Sequence, residues 1–245
     1  MWTRRAFLPT LALLPSAVGA AARDAEGFEP LFNGRDLTGW HVENGPSTAF
    51  FADQGDLVVH RGANFPTWLR SDREYENFEF RCEFFMKGWI NSGILLRAAR
   101  YGNPTDTGLQ LNLFHKLDKT PLKESCGSIF PVLAPSKGDA HKTGEWNTLR
   151  IVADWPRLQV WINDTPVQDV DLATHPELRW RLRRGYLGIE SLSYPIRLRN
   201  LRIRELPSKD RWQTLYAAPQ DWDKWFLAEG KEETWERLGP VLRCD

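Results

Sequence analysis

The sequence predicts an all-β protein, a sandwich or jelly roll, on three observations. Apolar and polar residues alternate with period two through most of Phe28 to Leu206. Turn residues cut that alternation into short runs, and no amphipathic helix longer than about three turns interrupts it. No blade-length repeat recurs, which argues against a propeller. At 245 residues the chain accommodates one large domain of this class.

Taken in order, the runs justify the class one by one. "FEFRCEFFM" sets Phe78, Phe80, Cys82, Phe84 and Met86 on one face, with Glu79, Arg81 and Glu83 as a solvated ladder of charge on the other. "NSGILLRAAR" puts Ile94 and Leu96 toward a core and Asn91, Gly93 and Arg97 on the opposite face. In "GLQLNLF", Leu109, Leu111 and Leu113 point inward while Gly108, Gln110 and Asn112 point outward. "LQVWIND" ends on Asn163-Asp164, a turn pair, and "YLGIES" sets Leu187 and Ile189 against Gly188 and Glu190. The apolar phase switches between Leu198 and Leu201, so Arg199 and Asn200 mark a bulge or a sandwich corner.

The ends of the chain read differently. "TRRAFLPTLALLPSAVGAAA" joins Arg4 and Arg5 to a short apolar run and a small-residue stretch, the layout of a twin-arginine export signal over residues 1–22. Its apolar run is too short to span a bilayer, and no other segment could. A periplasmic or secreted location follows as an expectation. The tail, residues 207–245, carries Leu215, Trp225 and Gly239 in the order of Leu31, Trp40 and Gly55, with the same span of 24 positions from leucine to glycine. It reads as the opening of a second copy, expected to pack against the first domain or to mediate self-association.

Composition excludes several classes. The 32 Lys and Arg balance 32 Asp and Glu, so no bulk field recruits nucleic acid or a membrane surface. Cys82, Cys126 and Cys244 show no metal-ligand spacing, and the alternation around Cys82 makes it a small buried hydrophobe. The five histidines, His41, His60, His115, His141 and His175, have no ligand spacing either, although a divalent metal is left open. No paired-carboxylate strand, nucleophile elbow or phosphate loop is present. The 12 tryptophans suit stacking on sugar rings as well as they suit a core, with Trp40 and Trp146 the candidate platforms.

Seven segments in fixed order carry a family likeness: "PLFNGRDLTGW", "WLRSDREYENFEFRCEF", "NSGILLR", "GSIFPVLAPSK", "GEWNTLRIV", "VWIND" and "RLRNLRIREL". The order resembles the 3-keto-disaccharide hydrolase family, also described as 3-keto-glucoside lyase/hydratase domains, over residues 27–206. The likeness implies a concanavalin A-like jelly-roll β-sandwich and cleavage of glycosides already oxidised at C3, with an oxidised sugar or glycoside as the partner. That chemistry needs a base for the C2 hydrogen and donors for the enolate oxygen.

On the predicted outer face, Glu190 is the base candidate and Arg97 the cation for the enolate, with Glu145 a further catalytic candidate. Asn91, Ser92, Gln110, Asn112, Lys142 and Trp146 are the candidate substrate contacts. Glu145, Trp146 and Asn147 also have a structural reading, as side chains bonding the loop backbone before "TLRIV". Relatives usually carry carboxylates at the positions of Gly108 and Leu113, and glutamine and histidine at those of Glu190 and Leu192. Either Glu190 has taken over as the base, or the domain is a carbohydrate-binding module or inactive homologue.

Overall fold

The structure is a computed structural model. It describes residues 23–60, 67–192 and 194–209, together with the backbone of two further strands, Trp235–Leu238 and Val241–Cys244. The expected signal at 1–22 lies outside these residues, as do Leu215, Trp225 and Gly239 of the partial repeat. The chain divides into two compact units, Met1–Pro207 and Ser208–Asp245.

The first unit contains, in chain order, β1 (Glu29–Pro30), β2 (Trp40–Glu43), β3 (Phe50–Asp53), β4 (Asp56–Val59), β5 (Trp68–Tyr75), β6 (Phe78–Met86), β7 (Asn91–Ala98), α1 (Pro104–Thr107), β8 (Leu109–Phe114), β9 (Ile129–Phe130), β10 (Trp146–Asp154), β11 (Arg157–Ile162), β12 (Thr165–Asp171), β13 (Gly185–Glu190) and β14 (Ile196–Glu205). An eight-stranded sheet runs β12-β11-β10-β6-β14-β4-β3, with β1 added against β14. A six-stranded sheet runs β2-β5-β13-β7-β8-β9. All the pairings are antiparallel. In the second unit, β15 (Trp235–Leu238) and β16 (Val241–Cys244) form an antiparallel pair. Among the described residues no helix is long and apolar enough to cross a membrane.

One core lies between the two sheets. Phe78, Phe80, Cys82, Phe84 and Met86 of β6 fill it from one side, with Leu149 and Ile151 of β10 and Leu198 and Ile203 of β14. From the other side come Leu69, Ile94, Leu96, Leu111, Leu113, Leu187 and Ile189. The fold class is the antiparallel β-sandwich that the alternation predicts. Cys82 and Cys126 are free and buried, and Cys82 is part of the core. Asn163 and Asp164 both take positive φ, +48° and +61°, which matches the twist of the β11–β12 hairpin they close. Between Arg199 and Arg202 the β14–β6 register shifts, with Asn200 at φ +54°, which is the bulge that the phase switch predicts.

Two expectations fail on closer packing. Glu79 is only 2% exposed, not part of a solvated ladder. It accepts hydrogen bonds from Arg81 Nε (2.9 Å), Arg150 Nε (2.7 Å) and Arg204 Nη2 (2.7 Å). Burial would raise its pKa, but the bonds from Arg150, Arg81 and Arg204 outweigh that and hold it below the ordinary carboxylate value.

Arg97 departs further. The β7–β13 register slips between Tyr186 and Gly188, and Arg97 takes φ +54°. One extra residue in a strand reverses its alternation, so Arg97 leaves the face of Gln110 and turns inward. Its guanidinium donates to Glu76 O (2.6 Å), Asn77 Oδ1 (3.2 Å) and Ala153 O (3.1 Å), tying the six-stranded sheet to β10 of the other. Burial lowers its pKa to about 10.

Candidate functional site

The outer face of the six-stranded sheet is polar because three neighbouring strands present their alternate residues there. The β13–β7 register pairs Ile189 with Ile94, which sets Glu190 opposite Gly93, and β8 pairs Asn112 with Gly93. Gly93 lies between them and has no side chain to block the row. A Cβ at Gly93 would stand 2.8 Å from Gln110 Cγ, so only glycine lets Gln110 lie across β7 toward β13. Gln110 Nε2 thereby donates to Glu190 Oε2 at 2.7 Å.

A second contact fixes the orientation of that amide. Asn103 caps α1 through its side chain, accepting from Thr105 N, and Pro104 occupies the first helical turn. The short helix thus holds Thr105 over the sheet, where Thr105 Oγ1 donates to Gln110 Oε1 at 2.6 Å. With its oxygen engaged, the amide presents its nitrogen to Glu190. Asn112 is anchored separately, its Nδ2 donating to Glu124 O at 2.6 Å.

Glu190 is 4% exposed, and burial pushes its pKa from 4.5 up to about 7. Trp68 of β5 stands opposite it across the strands on the same face. The carboxyl opens onto a cavity of about 420 Å³ lined by Asn103, Thr105 and Asp106 near α1, by Phe114 and Leu192 beyond Glu190, and by Phe130 and Pro131 alongside Gln110. Asn91, Gln110, Asn112 and Glu124 complete the wall. The Oδ1 of Asn91 is buried without a hydrogen-bond donor, a vacancy that a ligand hydroxyl would satisfy.

A larger depression, about 580 Å³, lies on the other sheet near Phe28, Gly34 and Asn200. Its charged groups are already committed. Glu83 accepts from Arg199 and Asn200, and Asp24 from Arg202 and from the amides of Glu26 and Phe28. The Glu190 cavity is the one with a titratable group poised near neutrality, and it is the candidate site.

Of the residues that the sequence singles out, Asn91, Gln110, Asn112 and Glu190 meet in this cavity. Ser92 lies beneath it, its hydroxyl donating to Glu190 O at 2.8 Å, so it braces the strand end instead of lining the wall. Arg97 does not reach the cavity because of its bulge. Glu145 and Lys142 form an exposed ion pair at 3.6 Å and are not among the lining residues.

Trp146 lies on the outer side of the eight-stranded sheet, under the Arg199 guanidinium (3.9 Å) and beside Phe85. Asn147 ties that loop together by accepting from Lys142 N and donating to Lys142 O and Glu145 O, which is the structural reading of the segment. Trp40 is a core residue whose Nε1 donates to Leu31 O. Thr105, Asp106, Glu124, Phe114 and Phe130 lie in the wall without having been singled out. Only Asn103-Pro104 offered a local sign, as a helix start placed just ahead of β8. Among the described residues no three His, Cys, Asp or Glu side chains cluster as a metal site.

The packing also accounts for one departure. A Cβ at Gly108 would lie 2.4 Å from Leu96 O and 2.7 Å from Ala98 N, so the β7 backbone leaves no room there for the carboxylate that the family resemblance implies. Leu192 does line the cavity and makes its far end apolar.

Comparison with known proteins is consistent with this architecture. A "putative glycosyl hydrolase" from Parabacteroides distasonis ATCC 8503 superposes with a TM-score of 0.65 at 20% identity, covering 75% of this chain and 95% of that one. Another of the same description and organism gives 0.57 at 19% identity, over 81% and 94%. At such identities these show a shared fold. No curated protein sequence matches significantly. The model of the 3-keto-alpha-glucoside-1,2-lyase-like domain matches residues 27–204. With most of its length inside that match, the chain belongs to the 3-keto-alpha-glucoside-1,2-lyase-like family of carbohydrate-active proteins.

Proposed function

We propose that the protein cleaves the glycosidic bond of 3-keto-glycosides by elimination followed by hydration, with Glu190 as the general base. The observation that carries this is a carboxyl buried in a sugar-sized cavity and held near pH 7, where a base is most useful at neutral pH.

A C3 ketone acidifies the hydrogen at C2. The Glu190 carboxylate takes that proton, and the electron pair moves into the C2–C3 bond and onto the ketone oxygen as an enolate. As the enolate collapses, the C1–O bond breaks, the pair leaves with the aglycone oxygen, and C1 and C2 become doubly bonded. The aglycone oxygen is protonated by the Glu190 carboxyl or by water. Water then adds across the double bond. With Arg97 elsewhere, the side-chain amides of Asn91 and Asn112 are the groups at hand for the enolate oxygen.

We also read residues 1–22 as an export signal, which would place the mature protein in the periplasm or outside the cell. A second reading, sugar binding without cleavage, is favoured by Leu192, an apolar side chain in the wall where relatives usually carry a histidine.

The test is aglycone release from a 3-keto-glucoside and from its unoxidised parent, with and without chelator. The elimination reading expects cleavage of the ketone alone, lost in Glu190→Gln. Saturable binding with no release from either would favour the binding module. Loss of activity on chelation would add a metal that the reading does not require.

A further inference from the structure

The two ends of the Glu190 cavity differ in chemistry, and the difference continues beyond it. Toward α1 the wall offers Asn103, Thr105 and Asp106, groups that suit the hydroxyls of an oxidised sugar. Toward the other end it offers Phe114, which pairs with Asn91, and Leu192, two residues past Glu190, neither of which can satisfy a hydroxyl. Past Phe114 the apolar surface continues. The His115 ring lies 4.7 Å from that of Phe114, and the Trp89 indole lies 4.7 Å from His115. His115 is held in place, since its Nδ1 and its backbone N both hydrogen-bond Ile90 O. Trp89 is 77% exposed, a large apolar face left open two residues before Asn91 and in ring contact with His115. Between Trp89 and Glu190's partner Gly93 sits Asn91, with its buried, donorless Oδ1.

We propose that this end is the leaving-group subsite, and that it takes an aglycone with an apolar ring face, an aryl ring by preference. The inference rests on the elimination reading. Two extended residues separate Asn91 from Gly93 in register, about 6.6 Å along the strand, so a ring bonded to a sugar at Glu190 would reach Asn91. A further ring face would lie over Trp89, where an aromatic edge or face stacks favourably. A ring hydroxyl would donate to Asn91 Oδ1.

The chemistry agrees with the geometry. No lysine or arginine is among the described lining residues. A leaving oxygen therefore has no cation beside it and departs most readily when its conjugate acid is already weakly acidic. A phenol, with a pKa near 10 like tyrosine, meets that condition, whereas an alkyl alcohol does not. The C1–O bond breaks, its electron pair leaves on the phenolate oxygen, and water supplies the proton.

The experiment compares an aryl and a methyl 3-keto-glucoside with the full-length wild-type protein and Trp89→Ala. The expected result is a preference for the aryl substrate in kcat/KM that falls about fivefold in Trp89→Ala, through KM, as for loss of one stacking contact. An unchanged aryl-to-methyl ratio would overturn the subsite.

Equilibrium binding of both ketones to Glu190→Gln and to Glu190→Gln with Trp89→Ala separates the two readings. If wild type turns over neither ketone, the elimination reading fails on its own. The binding ratio then decides the subsite: an aryl preference lost with Trp89 supports it, and equal affinities overturn it.

Discussion

The buried carboxyl of Glu190 makes opposite demands on stability and chemistry, and replacing it with glutamine should expose both. The unfolded chain titrates this group near 4.5, whereas the folded chain titrates it near 7. Between those values the folded state binds the proton and the unfolded state does not, so stability falls as pH rises through that window. At about 1.4 kcal/mol for each unit of pH, the cost above pH 7 is about 3 kcal/mol.

Glu190→Gln removes the titration and keeps an oxygen to accept from Gln110 Nε2. The variant should match wild type near pH 4 and exceed it by about 3 kcal/mol above pH 7, while losing turnover. Urea unfolding followed by tryptophan fluorescence, run on both proteins from about pH 4 to about pH 8, reads the difference directly. The same midpoint should appear as the acid limb of the wild-type pH–rate profile. A difference that stays flat with pH, or that grows toward acid, would refute the claim that Glu190 is buried and held protonated up to neutrality.

Three further outcomes follow from the same geometry. Thr105→Val, which deletes the donor to Gln110 Oε1, should lower kcat about fivefold, the worth of one hydrogen bond, and move the acid limb upward; Thr105→Ser should restore both. Arg97→Lys should cost about 2 kcal/mol in urea unfolding, because an ammonium cannot reproduce the fork across Glu76, Asn77 and Ala153, yet leave kcat within about twofold. A loss of kcat at unchanged stability would return Arg97 to the catalytic account. Gly188→Ala should destabilise by about 2 kcal/mol or more, since its Cβ would stand 2.4 Å from the Trp68 ring, which is too buried to move aside. An unchanged unfolding midpoint would contradict that packing.

The sequence by itself determined the layers. Period-two alternation in "FEFRCEFFM" and "GLQLNLF" is a local consequence of pleating, so the core faces of β6 and β8 could be read directly. The turn at Asn163-Asp164 was legible for the same reason, since two adjacent residues with positive φ leave a compositional mark. Alternation also placed Gln110, Asn112 and Glu190 on one face, and the ordered motifs named the family.

Tertiary structure decided the rest, because it depends on register and on groups far apart in the chain. Arg97 shares the nominal parity of Asn91, but one bulge residue reverses it, and nothing within "NSGILLRAAR" encodes where β13 slips. Glu79 looked solvated because the arginines that bury it come from β6, β10 and β14 together. Thr105 and Glu124 carry no motif and enter the site only because α1 and a distant loop fold over β8. The base itself needed both levels. Alternation put Glu190 on the right face, but its pKa near 7 comes from burial, and only the packed sheet supplies that.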